Sequence, residues 1–518
     1  MSDLEANSIL NKQEKSPVQQ SVPISDFGIG DSAAIKPSWS FRLYSTLQKL
    51  DHYGVESRGI ERVASDERHK ATLSTWTGLC LIWTSAGMGL STFATGLIGP
   101  LYYNLTFAQT VGIIFGAGFL GALVSGWLAT FGKRNGLRAL TNSRYTFGYY
   151  GAMFMAFLNV ITEGAFGIQM AILGGQALEV VSKGRLPVAG GIPLVVMVSW
   201  LIATGGYKFI HYWSRIGFVF PLIVCIAMLA KSSPMFSNAG TATLDAATQN
   251  GLTLSYFAII FGSGSGWAAV SADYYIYLDE RTPSWKPFLM SFLGTWLLPT
   301  LMYSCGAGYG SILLNNADWA EYYEANGESA PALILYSLES LGNVRYFFVF
   351  IMAISTLNNN IFNLYSISIS MQLFGKWTTY VPRMIWNLVG AIVVFLIAII
   401  GRDSIYTIIG NSVAVIAYWT AIFFAIILIE DRFFRRRTGY DHSGWDDSGK
   451  LPKGYAAMLA FGIGAAGSII GMGQTWYYGP IARQIGEEGG DVGIELGMLF
   501  AIIVYPVLRH LELKRFGR

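Results

Sequence analysis

The sequence predicts an all-α polytopic membrane protein of 12 transmembrane helices. Hydrophobic residues make up 53% of the chain and charged residues only 13%, about half the ~25% charge of a soluble globular protein. The mean hydropathy is +0.42. The apolar residues gather into a dozen runs, most of them about 17–25 residues long, the length a helix needs to cross a bilayer. These observations exclude a soluble enzyme, a nucleic-acid binder and a disordered scaffold. The lipid bilayer is the partner that composition demands. The net charge of +3 is too small to point to a polyanion.

In chain order, residues 1–73 read as a cytoplasmic tail, largely disordered, with a short amphipathic stretch from about Phe41 to Ile60. That stretch suits a membrane-surface helix or packing against loops. A single transporter domain follows over 74–508, with a short tail at 509–518. Spans are placed near 74–97, 106–131, 147–174, 190–205, 216–231, 252–272, 287–312, 346–371, 384–401, 404–430, 455–474 and 491–508. The connections after even-numbered spans, with the C-terminal tail, hold 20 lysines and arginines, and those on the opposite side hold 6. This bias predicts cytoplasmic termini. The sequon Asn104-Leu105-Thr106 falls outside, too near the bilayer to expect glycosylation. Cys80, Cys225 and Cys305 all lie in apolar runs, so no disulfide framework is expected. All five histidines lie in connections or tails, which argues against an intramembrane histidine relay. No metal-binding or cofactor motif stands out.

Two spans are predicted to break. Span one contains Ser85-Ala86-Gly87-Met88-Gly89-Leu90-Ser91, and span six contains Gly262-Ser263-Gly264-Ser265-Gly266-Trp267. Glycine disfavours helix by about 1 kcal/mol relative to alanine, and unwound backbone at membrane depth survives only where it is buried or lines a cavity. Matching breaks five spans apart point to a midplane binding site. The alternative is close helix packing, and Gly112 with Gly116, and Gly467 with Gly471, are read that way.

Span eight carries Ser355-Thr356-Leu357-Asn358-Asn359-Asn360-Ile361-Phe362-Asn363. Amides offer both donors and an acceptor, which suits a planar heterocycle with mixed edges; interhelical hydrogen bonding is the other use of such residues. Ser355, Asn359 and Asn363 share one helix face. Glu163, deep in span three, is a candidate proton carrier or else a neutral acid bonded to a neighbouring helix. Asp273, ending span six, reads as a structural or gating charge.

The chain is similar to the fungal purine–cytosine permeases of the nucleobase–cation symporter family. The resemblance runs through Gly54-Val55-Glu56-Ser57-Arg58-Gly59-Ile60-Glu61-Arg62, Gly136-Leu137-Arg138, Ser143-Arg144-Tyr145-Thr146-Phe147-Gly148 and Ala272-Asp273-Tyr274. It continues in the asparagine run, Gly489-Gly490-Asp491 and the closing Leu511-Glu512-Leu513-Lys514-Arg515-Phe516-Gly517-Arg518. It implies a LeuT-like five-plus-five inverted repeat with broken helices 1 and 6, and plasma-membrane uptake of a nucleobase or related nitrogen heterocycle with a proton by alternating access. It carries Ser85, Trp267 and Asn363 over as substrate residues, and with Gly87 at the break of span one, Asn359 on the face of Asn363, and Phe166 and Gln169 of span three they make up the expected substrate site. Trp267 and Phe166 stack on the ring, and Ser85, Gln169 and Asn363 read its edge. Coupling is expected at Glu163, with Ser355 and Thr356 where sodium-coupled relatives hold their ion against span one.

The sequence departs from the family pattern at two places. Phe166 and Met170 stand where a Trp-x-x-x-Asn pair is usual, and Ser214 stands where an acid is usual in span five. A vitamin B6-type pyridine or another modified heterocycle is therefore the alternative substrate. A membrane enzyme lacks support, since no His-Glu-x-x-His, Gly-x-Ser-x-Gly or P-loop lysine signature occurs. A channel rests only on Gly306-Ala307-Gly308-Tyr309-Gly310, a single copy of a motif that must occur four times around a pore; packing glycines explain it better.

Overall fold

Span one begins where Thr72 caps the helix Leu73–Gly87 by accepting a hydrogen bond from Thr75 N. Helix stops at Met88 and Gly89, restarts as Leu90–Tyr103, and the two pieces are bent by 52°. The computed structural model describes residues 58–239 and 244–518, and the backbone of Lys208. The predicted amphipathic stretch therefore lies outside the described residues except for its last three positions.

Span two is Phe107–Asn135, capped by Thr106 and closed by Gly136 at φ 66°. Residues Ala139–Val181 form two helices joined by a kink at Gly148, φ 71° and ψ 179°, and span three is the second of them. Only glycine adopts that conformation without strain, and a Cβ there would also meet Pro452 O at 2.6 Å. Spans four and five are Val188–Gly205 and Phe209–Met235. Span six starts at Ala246, where Asp245 caps two backbone N–H groups, and stays helical to Ser265. Two short 3₁₀ turns then follow, Gly266–Ala269 and Ser271–Tyr274. The helix thus survives most of the glycine cluster and breaks at its last member.

Spans seven to ten are Trp285–Asn315, Val344–Phe374, Arg383–Gly401 and Ile405–Phe434. The last two helices are Tyr455–Gly471 and Gly493–Phe516. Among the described residues nine helices are long and apolar enough to cross a membrane, ten with the bent pair of span one. The helices Ala246–Ser265 and Tyr455–Gly471 stand at the positions of expected spans six and eleven. A two-residue antiparallel ribbon, Gly473–Gln474 against Tyr477–Tyr478, departs from the all-helical expectation.

Spans eight and ten form the centre, with 72% and 78% of their apolar windows buried, whereas spans nine and twelve bury only 28% and face outward. Spans three and eight share the most extensive helix–helix interface. Spans one and seven approach so closely that a Cβ on Gly96 would lie 2.1 Å from Tyr303 O, and one on Gly306 2.0 Å from Phe93 O. The filter-like glycines are therefore packing glycines. Gly467 and Gly471 pack on span twelve as expected, but a Cβ added to Gly112 or Gly116 would meet nothing within 4 Å among the described residues. Their spacing comes without a partner helix on that face.

Span twelve continues as helix past Arg509, which is buried and pairs with Glu430 at 2.9 Å. Arg435 and the Tyr505 hydroxyl complete the shell of that carboxylate. At the same end of the bundle Asp273 Oδ1 accepts from Ala139 N at 2.7 Å and lies 3.9 Å from Arg138. Arg138 in turn donates to Gly59 O and to the Tyr365 hydroxyl. Asp273 is thus a helix-capping and ion-pairing group, in line with its reading as a structural charge.

Candidate substrate site

Successive residues on a helix point about 100° apart, so the asparagine run of span eight radiates towards different neighbours. Asn358 accepts from Trp213 Nε1 and donates to Gly217 O, both at 2.7 Å on span five. Asn360 donates to Ser199 Oγ of span four at 3.1 Å. These two serve as interhelical bonds. Asn359 donates to Ala86 O at 2.9 Å, and Ser355 Oγ accepts from Leu90 N at 3.1 Å. One face of span eight therefore satisfies both sides of the break in span one: a loose carbonyl before it and a loose N–H after it.

Replacing Ser355 with alanine removes that acceptor and leaves Leu90 N–H buried without its partner. The expected cost is roughly 1–3 kcal/mol, read as a lower midpoint of thermal unfolding in detergent. An unchanged midpoint would show that the second half of span one is held by other means.

The other wall of the site is aromatic. Trp267, at the break of span six, and Phe166 of span three lie parallel, with 2° between their planes and 6.3 Å between centroids. Phe166 reaches this position because residue 266 has no side chain: a Cβ there would meet Phe166 Cε2 at 3.0 Å. Trp83 and Phe362 meet Trp267 edge-on, at 5.7 and 6.3 Å. A flat ring held between two faces needs about 7 Å, twice a carbon–carbon contact of ~3.5 Å, so these rings must part slightly to admit one. The cavity beside Trp267, lined also by Trp83, Gly87, Gly264 and Pro299, is about 20 Å³, room for about one water. That cavity does not reach Phe166, Glu163 or Asn363.

Between the two walls lies the acid. With its nitrogen turned to the carboxylate, Asn363 donates to Glu163 Oε2 at 3.0 Å, and Asn359 Oδ1 is within 3.1 Å of the same nitrogen. Ser366 is also hydrogen-bonded to Glu163, and Asn159 donates to Ser366 Oγ and Ser370 Oγ at 3.0 and 2.9 Å. Glu163 is 1% exposed, so every group that touches it counts in its solvation.

The structure brings together Phe166, Trp267, Glu163, Asn359 and Asn363, and sends other expected residues elsewhere. Gln169 Nε2 donates to Ser412 Oγ of span ten at 2.9 Å. Ser85 is buried with no hydrogen-bond partner among the described residues, and a Cβ on Gly217 would fall 2.8 Å from its Oγ. Its hydroxyl faces the seam of spans one, five and eight, where Asn358 also lies. Ser355 touches the break of span one, but Thr356 does not: it donates to Ala353 O and lies against Gly174 of span three. Adjacent helical residues cannot both face one neighbour, so the expected pair is divided. Gly87 is required by the approach of span seven, where a Cβ would lie 2.5 Å from Pro299 Cγ. Trp83, which meets Trp267 edge-on, was missed as a neighbour of the site. Nothing local signalled it.

A family model described as a permease for cytosine/purines, uracil, thiamine and allantoin matches residues 67–490. The chain belongs to this permease family. It is a multi-pass membrane transporter and not an enzyme. The permease is similar to the purine-cytosine permease of Emericella nidulans, at 33% identity covering 100% of this chain and 99% of that one. It is similar also to the vitamin B6 transporter of Saccharomyces cerevisiae, at 29% identity covering 91% and 90%. Among solved structures it resembles Mhp1, a nucleobase-cation-symport-1 family transporter in a closed conformation with bromovinylhydantoin bound. The TM-score is 0.63 at 14% identity, over 89% of this chain and 96% of that one. That likeness is one of fold, and it gives the permease a LeuT-like architecture in which the breaks of spans one and six fall at related places.

Proposed function

We propose that this permease imports a nucleobase of the purine or cytosine type, or a closely related nitrogen heterocycle, with a proton by alternating access. The observation that carries the reading is the parallel pair Phe166 and Trp267 beside the Glu163–Asn363–Asn359 cluster. Two flat apolar faces select an aromatic ring, and amides next to them select one with donors and acceptors on its edge. Glu163 is the titrating group of this proposal, since it is the buried carboxyl that meets the amides. Residence in the plasma membrane with cytoplasmic termini follows from the family and from the 20-to-6 bias of basic residues.

A second reading, transport of a vitamin B6-type pyridine, is favoured by Met170, which is buried where nucleobase carriers of the family hold an amide, and by the yeast vitamin B6 relative. Radiolabelled uptake in cells without their own nucleobase and vitamin B6 carriers separates the two. Competition by adenine, cytosine or hypoxanthine is expected. Failure of all three, with competition by pyridoxine, would select the second reading.

A further inference from the structure

The cavity beside Trp267 is bounded by spans one, two, six and seven, and span three, which carries Phe166, adds nothing to its lining. Trp267 therefore borders two spaces: the gap it shares with Phe166 and this void of about 20 Å³. The gap is too narrow for a ring, since the centroids stand 6.3 Å apart and two carbon contacts of ~3.5 Å need about 7 Å. One of the two walls has to move, by less than about 1 Å.

The walls are not mounted alike. Phe166 stands within the helix that runs from the Gly148 kink to Val181. Trp267 stands on the short turn Gly266–Ala269, beyond the end of the helix Ala246–Ser265, and 3₁₀ hydrogen-bond geometry is poorer than that of an α-helix. The far side of the void is fixed. Trp83 Nε1 donates to the Tyr275 hydroxyl at 3.1 Å, and that hydroxyl pairs with Ser291 Oγ at 2.7 Å. Trp296 Nε1 donates to Phe115 O at 3.1 Å, which ties span seven to span two. Protein interiors hold few voids of this size, and unfilled volume costs stability. Here the volume lies next to the wall that is free to give.

We infer that this cavity is the recoil space of Trp267, into which the indole shifts when a ring enters between it and Phe166. Residues that line the cavity then govern ring affinity without touching the ring. This role rests on the proposed reading of Phe166 and Trp267 as the two faces of the ring site, and it assigns the movement to one of them. Gly118 is the position where the role is most exposed to test. It lines the void from span two, and a Cβ there would meet Trp296 Cδ1 at 3.6 Å and Ile260 Cγ2 at 3.8 Å. Those are ordinary contacts with two other lining residues. A methyl group fits the structure as it stands and takes volume from the recoil.

The test is uptake kinetics and thermal unfolding of the full-length protein carrying Gly118→Ala or, as a larger filler, Thr300→Ile. The probe is whichever of adenine, cytosine, hypoxanthine and pyridoxine the wild type takes up, because each presents a flat ring. Gly118→Ala is expected to raise KM by about tenfold and Thr300→Ile by more. The thermal midpoint should hold or rise, as it does when a void is filled. Ile114→Val widens the same void from span two, and should lower the midpoint while KM stays within about twofold. A lining with only a packing role moves stability alone. A wild-type KM in either folded filler overturns the inference, as does a KM that rises only together with a falling midpoint; Gly118→Ala decides by itself if Thr300→Ile does not fold. Failure of the parent reading looks different. Wild-type protein that takes up none of the four rings removes the ring site and the recoil space with it, whereas wild-type uptake with unaffected fillers removes the recoil space alone.

Discussion

Asn359→Leu is expected to reduce uptake by about two orders of magnitude at matched surface expression. Asn359 joins the break of span one to the cluster around the acid. It donates to Ala86 O at 2.9 Å, and its oxygen receives Asn363. Leucine fills a similar volume but offers neither group. Ala86 O is then a carbonyl without its partner at membrane depth, a loss of roughly 1–3 kcal/mol, and Asn363 loses its anchor at a similar cost. If the break in span one is where the site opens and closes, both losses fall on transport. Initial-rate uptake and the thermal midpoint should therefore fall together. Wild-type uptake by this variant would show that span eight does not hold span one in the transport cycle.

Trp267→Ala should lower kcat/KM by about a hundredfold or more, through loss of one face of the ring site. The indole supplies the parallel partner of Phe166 and is wedged by Trp83 and Phe362. An aromatic contact is worth ~0.5–1.5 kcal/mol beyond the area it buries, and truncating a buried tryptophan costs about 3–5 kcal/mol in folding stability. Trp267→Phe keeps a flat face at the same place and is expected to retain uptake within several-fold. That pair of variants separates a role in the site from a role in packing. If phenylalanine and alanine lose uptake equally, the indole acts through something other than its face.

Much of the fold was legible because a bilayer imposes long apolar runs on any chain that crosses it. The break in span one could be read from Gly87 and Gly89 because unwinding is a local event. In span six the break falls inside the expected cluster 262–267, at its last glycine. Helix propensity names the whole cluster without choosing among its members, and Gly266 is the member against which Phe166 packs. Spacing misled at Gly112 and Gly116, since a small-residue stripe says that a neighbour can approach and not that one does.

The candidate site was legible in its residue types and less so in its directions. Four asparagines in span eight announced polar neighbours, yet which helix each one meets depends on the rotation of span eight among spans one, three, four and five. Ser85 and Thr356 show the same limit: the family resemblance put Ser85 at the substrate and Thr356 at the coupling place against span one, and Ser85 lies against Gly217 and Thr356 against Gly174. The sequence by itself determined that this is a helical membrane transporter with loosened first and sixth crossings, because hydropathy and glycine content act residue by residue. Only the tertiary structure decided that Glu163, Asn363, Asn359 and Ala86 O form one connected chain of polar groups, because a hydrogen bond needs atoms from separate helices within about 3 Å, and no property of one segment sets that distance.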